Sequence, residues 1–253
     1  MGRPSSLRAL RPRRRATIGA LRTFVYERDL SAELTGKYRS VYDRIPAGSR
    51  VLEIGCSTGY FSQALIRKNC EVIGVDNDPN AVRICREKGI PAHHRDVGSA
   101  EFGDILATFA TIDYVLAMDV LEHLAAPHVL VSGLAKSMQQ DSRLIVTGPN
   151  VAYWHVRWRL LQGRWEYTPA GVMDETHLRW LTRATWRKLL TENGFRILTE
   201  RVAESMYPKE AEIRYAFGPG LIAAMRRVGD RFLPNLFATV FMFECSPRPQ
   251  HEL

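Results

Sequence analysis

The sequence is sparing with cysteine. Cys56, Cys70, Cys85 and Cys245 are its four, and no two are separated by a two-residue spacer. That pattern suggests neither a zinc knuckle nor a redox dithiol and leaves reduced thiols in a core. Long apolar runs are missing as well. No uninterrupted stretch approaches the roughly 18 residues that span a bilayer, so a membrane-crossing helix is not expected. Acids are absent from the first 26 residues, where Arg3, Arg8, Arg11, Arg13, Arg14, Arg15 and Arg22 stand without a counter-charge. The formal net charge of +8 therefore belongs mostly to this arm, and the rest of the chain is nearly neutral. A body so balanced does not announce the basic face that a nucleic-acid enzyme uses.

What is present reads as one ordinary domain. The hydrophobic share is 45% and the charged share 25%, which are globular values. We divide the chain into a basic flexible arm, residues 1–25, and a single domain, residues 26–253. The arm suits association with RNA or an anionic membrane by counterion release. Its Arg- and Ser-rich, acid-free composition is also how a mitochondrial transit peptide reads in a eukaryotic host, and the cytoplasm is the expectation otherwise. Arg22 interrupts the apolar run of residues 16–21 too early for a secretory signal.

Short β-branched runs recur at residues 51–54, 72–75, 112–118 and 144–147, separated by helical stretches at 61–68 and 80–88. A weaker strand is expected at 90–94, and later ones at 195–202 and 237–245. This spacing predicts an α/β fold with a doubly wound sheet of seven strands. Two long insertions, 149–181 and 204–235, interrupt the alternation and are expected to form a lid over the carboxyl ends of the strands.

The first strand runs directly into Gly55-Cys56-Ser57-Thr58-Gly59, and Asp76 closes the second strand 21 residues after Gly55. Glycines at a strand-to-helix turn let the backbone approach a ligand, and an acid at that distance commonly bonds ribose hydroxyls. An adenosine-containing ligand is implied. A dinucleotide site is disfavoured, because Ser57 and Tyr60 stand where a pyrophosphate-binding loop needs glycines. The loop also spells Gly-x-Ser-x-Gly, the nucleophile elbow of α/β-hydrolases. However, it follows the first strand, and no oxyanion loop precedes it.

Residues 51–59, VLEIGCSTG, resemble the first motif of the class I S-adenosylmethionine-dependent methyltransferases. Residues 72–76, 95–97 and 113–123 resemble that superfamily's second strand, adenine turn, and fourth strand with its loop. Residues 148–178 resemble a group that includes the methionine-biosynthesis and ubiquinone-type small-molecule methyltransferases. The resemblance implies a Rossmann-like, mostly parallel sheet with an antiparallel last strand. It also implies S-adenosylmethionine as methyl donor and S-adenosylhomocysteine as product. Glu53, Gly55, Cys56, Ser57 and Gly59 would then serve the methionine end, Asp76 and Asn77 the ribose, Asp96 and Val97 the adenine, with Met118 and Asp119 near the sulfonium.

Methyl transfer from a sulfonium is an in-line displacement, so the protein mainly aligns the reactants and needs a base only for a protonated nucleophile. His123, His177 and Asp119 are the catalytic candidates. Asp119, Glu122 and His123 would share a face if a helix starts there. The resemblance makes magnesium thinkable, but no metal is expected. Tyr153, Trp154, Arg157, His177 and Arg179 in the first insertion are the expected acceptor contacts, since aromatics and arginines together suit a flat, acidic small molecule methylated on oxygen or nitrogen. The second insertion contains residues 221–232, which pattern as an amphipathic helix. Two other readings share the cofactor motif: a nucleic-acid methyltransferase using the arm, and a cofactor-binding regulator without catalysis.

Overall fold

The computed structural model describes residues 34–98 and 111–249. The basic arm lies outside the described residues. Helix α1 (Gly36–Tyr42) precedes β1 (Arg50–Ile54), α2 (Tyr60–Arg67), β2 (Glu71–Asp76), α3 (Pro79–Glu87) and β3 (Ala92–His94). Then come β4 (Tyr114–Met118), a 3-10 turn (Leu121–His123), α4 (Pro127–Ser137) and β5 (Arg143–Pro149). The first insertion carries α5 (Trp154–Leu161) and leads to α6 (Arg183–Glu192) and β6 (Phe195–Ser205). The second carries α7 (Glu210–Phe217), α8 (Pro219–Phe232) and α9 (Pro234–Phe237), followed by β7 (Ala238–Pro247).

The seven strands form one sheet in the order β3-β2-β1-β4-β5-β7-β6. All pairings up to β5 are parallel, and β7 runs antiparallel to both of its neighbours. This is the expected doubly wound sheet with an antiparallel last strand. Alternate residues bury against opposite layers. Leu52, Ile54, Val115, Ala117, Leu144 and Val146 join Leu130 and Leu134 of α4 and Trp186 and Leu190 of α6. Val51, Leu116, Ile145 and Met242 join Val41 of α1 and Phe61 and Leu65 of α2. Strands buried on both faces explain the continuous apolar runs of the sequence. The chain's winding direction reverses between β1 and β4, which opens the crevice where ligands bind such sheets.

Several strand limits differ from the sequence reading, for local reasons. β4 begins at Tyr114 rather than at residue 112, because the Asp113 carboxylate turns to accept the Arg50 amide at 2.8 Å. β3 is only three residues long, since the Ile90 amide donates to Cys85 O at 2.9 Å and closes α3 instead. β6 continues to Ser205, with register shifts that accommodate the extra residues.

Local chemistry starts the helices. Asp78 caps α3 by accepting the Asn80 amide at 2.8 Å, with Pro79 in the first turn. Thr182 and Thr185 form a reciprocal capping box on α6. The fully buried Trp186 of α6 donates its indole N–H to Pro149 O at 2.8 Å. Its ring lies so close over Gly148 that an added Cβ there would overlap it.

Candidate functional site

The crevice has one wall at the carboxyl end of β1. Gly55, Ser57 and Gly59 have φ of +71°, +49° and +76°, so the loop turns through the left-handed region three times in five residues. A Cβ on Gly55 would come within 2.5 Å of Val120, and one on Gly59 within 2.5 Å of Ile90. Ser57 takes a left-handed φ that glycine adopts more readily than a residue with a Cβ. The amides of Gly55 and Cys56 both donate to Val75 O, at 2.8 and 3.1 Å. Asp76 then clamps the loop from β2: its carboxylate accepts the Ser57 amide at 2.7 Å and the Asp78 amide at 2.9 Å. Burial raises the Asp76 carboxyl above its ordinary value, and these amide donors oppose the rise.

Beneath the loop, Glu53 is fully buried and accepts the Ser62 hydroxyl. Burial pushes its carboxyl up to about 8, against the pull of that hydrogen bond and with a further push from Asp76. Cys56 lies 3.9 Å from Cys85, whose thiol donates to Ser57 O at 3.1 Å. All four thiols are buried and unbridged.

The other expected cofactor residues follow β2, β3 and β4 at the same edge. Asn77 is exposed and its carbonyl pairs with His94 Nε2 at 3.1 Å. Asp96 is exposed and accepts the Gly98 amide at 2.9 Å, while Val97 is buried in the core beside Leu121 and Leu130. Met118 packs against the α1 and α2 side of the sheet.

The opposite wall starts at Asp119, a non-glycine residue at φ +54°. Its amide donates to Thr147 O at 3.0 Å, and its carboxylate accepts the Thr147 hydroxyl at 2.9 Å. The second carboxylate oxygen is ion-paired with Lys37 of α1. Asp119 therefore does not share a face with Glu122 and His123, because the chain makes a single 3-10 turn after it rather than the start of a longer helix.

Glu122 is fully buried, and neither carboxylate oxygen has a hydrogen-bond partner. Burial pushes its carboxyl up to about 8, with Lys37 pulling the other way. The first insertion docks on this turn through main-chain bonds. Leu178 N and Arg179 N both donate to Glu122 O, at 2.8 and 2.9 Å. This docking brings His177 against His123, with ring centroids 4.8 Å apart and nearly perpendicular. Ligand atoms of Glu122, His123 and His177 all lie within 4.8 Å of one another. This donor set could hold a divalent cation, since each ring's Nδ1 contacts an oxygen of the chain, as in metal-bound histidines. Asp119, expected in such a group, lies outside it.

The same contacts set the imidazole tautomers. Thr176 Oγ1 donates to the buried Asp174 at 2.7 Å, and the Asp174 carboxylate also takes the Thr176 amide at 2.8 Å. The threonine hydroxyl, its proton already committed, accepts from His123 Nδ1 at 3.1 Å. His177 Nδ1 faces Val172 O at 3.2 Å, where it can only donate. Both rings therefore carry Nδ1–H and present a basic Nε2. Burial lowers both histidines below their ordinary value and keeps them neutral at pH 7.

The remaining expected acceptor residues do not converge on this pair as side chains. Tyr153 is buried beside Val156 and Met173. Trp154 donates its indole N–H to Met206 O at 2.9 Å and, with Arg157, Trp158, Leu161 and Leu236, lines an open apolar hollow of about 360 Å³. Arg157 bonds Ala152 O and Asn235 O, and Arg179 bonds Ala125 O, so each guanidinium spends donors on the chain's own carbonyls. Sequence reasoning missed Lys37, Thr147 and Asp174. Only Asp174 left a trace, in the short spacing of Asp174-Glu175-Thr176-His177.

Residues 26–200 match the family model described as a methyltransferase domain. A ubiquinone biosynthesis O-methyltransferase from Xylella fastidiosa (strain 9a5c) is 34% identical over 113 residues, which are 42% of this chain and 45% of that protein. The protein of the same description from Cereibacter sphaeroides (strain ATCC 17025) is 27% identical over 172 residues, 66% of this chain and 60% of its own length. The chain thus spans about half the length of the first curated relatives it matches. Among solved structures, an S-adenosylmethionine-dependent methyltransferase from Archaeoglobus fulgidus aligns with a TM-score of 0.57 at 19% identity, covering 83% of this chain and 94% of that one. The [4+2]-cyclase SpnF aligns at 0.54 and 20% identity over 83% of this chain and 80% of its own. At these identities the likeness is one of fold, and the cyclase shows that the fold serves more than one reaction.

Proposed function

The chain belongs to the methyltransferase-domain family, and from that premise we propose that it methylates a hydroxyl oxygen of a small molecule with S-adenosylmethionine as donor. The observation that carries this reading is the pair of neutral imidazoles, His123 and His177, at the far wall of the crevice from the glycine loop. A hydroxyl is a poor nucleophile until its proton leaves, and a buried imidazole with a fixed Nδ1–H is a suitable acceptor. The oxygen assignment is supported by the O-methyltransferase descriptions of the relatives.

In this reading, Glu53, Gly55, Cys56, Ser57 and Gly59 hold the methionine end of the donor. Asp76 and Asn77 take the ribose, and Asp96 with Val97 the adenine. The clamp between Asp76 and the Ser57 amide fits that role, because it preforms the loop and places a carboxylate at the end of β2. S-adenosylmethionine, when bound, supplies a methyl group on a sulfonium that departs as neutral S-adenosylhomocysteine. Met118 and Asp119 form the floor on the acceptor side. The Nε2 of His123 or His177 takes the hydroxyl proton as the oxygen–carbon bond forms. Tyr153, Trp154, Arg157 and Arg179 brace the insertion that carries His177, through their packing and their bonds to backbone carbonyls.

Calorimetry with S-adenosylhomocysteine comes first, followed by labelled-methyl transfer to a panel of phenols and hydroxy acids. Binding of S-adenosylhomocysteine, with transfer to hydroxyls that collapses in His123→Gln or His177→Gln at unchanged cofactor affinity, is the expected outcome. Absence of binding overturns the cofactor assignment. Full activity in both histidine variants overturns the base assignment alone.

A further inference from the structure

The turn after β4 contains a polar group that methyl transfer does not explain. Glu122 is fully buried, and neither of its carboxylate oxygens has a hydrogen-bond partner. Buried polar groups in folded proteins are almost always paired, and an exception asks for a water or an ion. Lys37 pulls on Glu122 electrostatically but gives it no hydrogen bond, its ammonium being ion-paired with Asp119. Protonating Glu122 removes the charge yet leaves an O–H without an acceptor.

Beside this carboxylate stand two imidazoles from different parts of the chain. One nitrogen each of His123 and His177 and one oxygen of Glu122 lie within 4.8 Å of one another. Zinc–ligand bonds of about 2.0–2.1 Å set tetrahedral ligand atoms about 3.4 Å apart, a gap that small side-chain rotations close. Both rings are already held as metal-bound histidines are. Nδ1 of His123 meets Thr176 Oγ1 at 3.1 Å, with the Asp174 carboxylate 2.7 Å behind that hydroxyl, and Nδ1 of His177 meets Val172 O at 3.2 Å. Two nitrogens and one oxygen favour zinc and its neighbours over magnesium, which prefers oxygen. The more oxygen-rich grouping of Asp119, Glu122 and His123 does not form, because Asp119 turns to Lys37 and Thr147.

We propose that Glu122, His123 and His177 form a site for a zinc-class divalent cation, which fastens the lid to the sheet and holds the imidazoles out of the reaction. Glu122 and His123 belong to the turn after β4 and His177 to the first insertion, so one ion ties together two segments that already meet through the Leu178 and Arg179 amides on Glu122 O. Three protein ligands leave a fourth position for water. A nitrogen lone pair given to the ion is not available for a proton. This inhibition, unlike the binding, rests on the function proposed above.

The test uses the full chain, stripped with a chelator, and Zn2+ or Co2+ as the probe without cofactor or acceptor. One equivalent of Zn2+ binds in calorimetry, Mg2+ does not displace it, and Zn2+ at about 100 times its Kd raises the melting temperature by roughly 5–10 °C. Bound Co2+ shows nitrogen and oxygen ligation without an intense sulfur charge-transfer band, which separates this site from the thiol pair of Cys56 and Cys85. Glu122→Gln, which keeps the side chain's shape, and His177→Gln each weaken Zn2+ binding by at least about tenfold, while Asp119→Asn leaves it at the wild-type value. Melting in chelator confirms that each variant is folded. The site is overturned if the wild type takes up no Zn2+, if both ligand variants keep wild-type affinity, if Mg2+ displaces Zn2+, or if sulfur dominates the cobalt spectrum. With a hydroxyl acceptor from the panel above, Zn2+ that fills the site stops methyl transfer and a chelator restores it. Transfer that continues on the filled site overturns the inhibition alone, whereas metal-free protein that transfers no methyl group counts against the proposed function and leaves the ion site standing.

Discussion

Replacing Asp76 separates two roles that one carboxylate combines here. Its oxygens accept two backbone amides, at 2.7 Å from the cofactor loop and 2.9 Å from the turn after β2. A hydrogen bond to a charged acceptor is worth about 1.5–3 kcal/mol. The Asp78 amide lies at a partly exposed turn and can turn to water, so the loss falls mainly on the half-buried Ser57 amide. Removing the carboxylate also returns some of the desolvation cost that raises its pKa. Asp76→Ala should therefore cost about 2 kcal/mol of stability, a fall in melting temperature of roughly 4–8 °C for a domain of this size. Cofactor affinity should fall further, because the loop loses its clamp and, in the function proposed above, the ribose loses its partner. An increase in Kd for S-adenosylhomocysteine of at least about tenfold, or 1.4 kcal/mol, is expected by calorimetry. Asp76→Asn keeps one acceptor oxygen and should fall between the wild type and Asp76→Ala in both measurements. If Asp76→Ala melts lower yet binds S-adenosylhomocysteine as the wild type does, the carboxylate only shapes the loop. If neither quantity changes, the reasoning about this loop is wrong.

Three further outcomes are expected. Gly148→Ala should destabilise by about 1–3 kcal/mol or more in chemical denaturation, because its methyl overlaps the buried Trp186 ring, and Gly148→Ala/Trp186→Leu should recover part of the loss. Between about pH 5 and 8, folded Glu53 holds a proton that the unfolded chain has released, so stability falls as pH rises through this window and is fully present below the unfolded pKa. Glu53→Gln should make the stability–pH slope shallower by about 1.4 kcal/mol per pH unit there, while Glu122, shifted the same way, still contributes its own. Arg179→Ala, which cuts the bond to Ala125 O on the docked lid, should lower kcat/KM for an identified acceptor by about tenfold, with the S-adenosylhomocysteine Kd nearly unchanged.

The two walls of the crevice were unequally legible in the sequence. The loop at residues 55–59 announced itself because its requirements are local: glycine where the backbone turns left-handed, a strand before, a helix after, and an acid at the end of the next strand. The amphipathic helix predicted over residues 221–232 was legible for the same reason, since a periodicity needs no partner, and α8 covers that range. The far wall combines residues 37, 119–123, 147 and 174–179. No spacing rule connects them, and only the packing of α1 and the lid on the ends of β4 and β5 brings them together. The expected triplet of Asp119, Glu122 and His123 failed on one dihedral angle. A left-handed Asp119 points its carboxylate to Lys37 and Thr147, and its place beside Glu122 and His123 goes to a histidine 54 residues further on.

How the lid is attached bears on how such a site can change its acceptor. The amides of Leu178 and Arg179 bond to a main-chain oxygen of Glu122, and the amide of Val151 bonds to Leu181 O, so the lid is fastened partly by groups that every residue but proline possesses. The exposed side chains of residues 160–170 can then vary without breaking these main-chain bonds. The cofactor wall has no such latitude, since Gly55 and Gly59 lack room for a Cβ and Asp76 works through its carboxylate. Substitution is therefore cheap where the acceptor would bind and costly where the donor would. A fold divided in this way keeps the donor while the acceptor changes, which is the physical reason that the glycine loop was readable in this sequence and the acceptor was not.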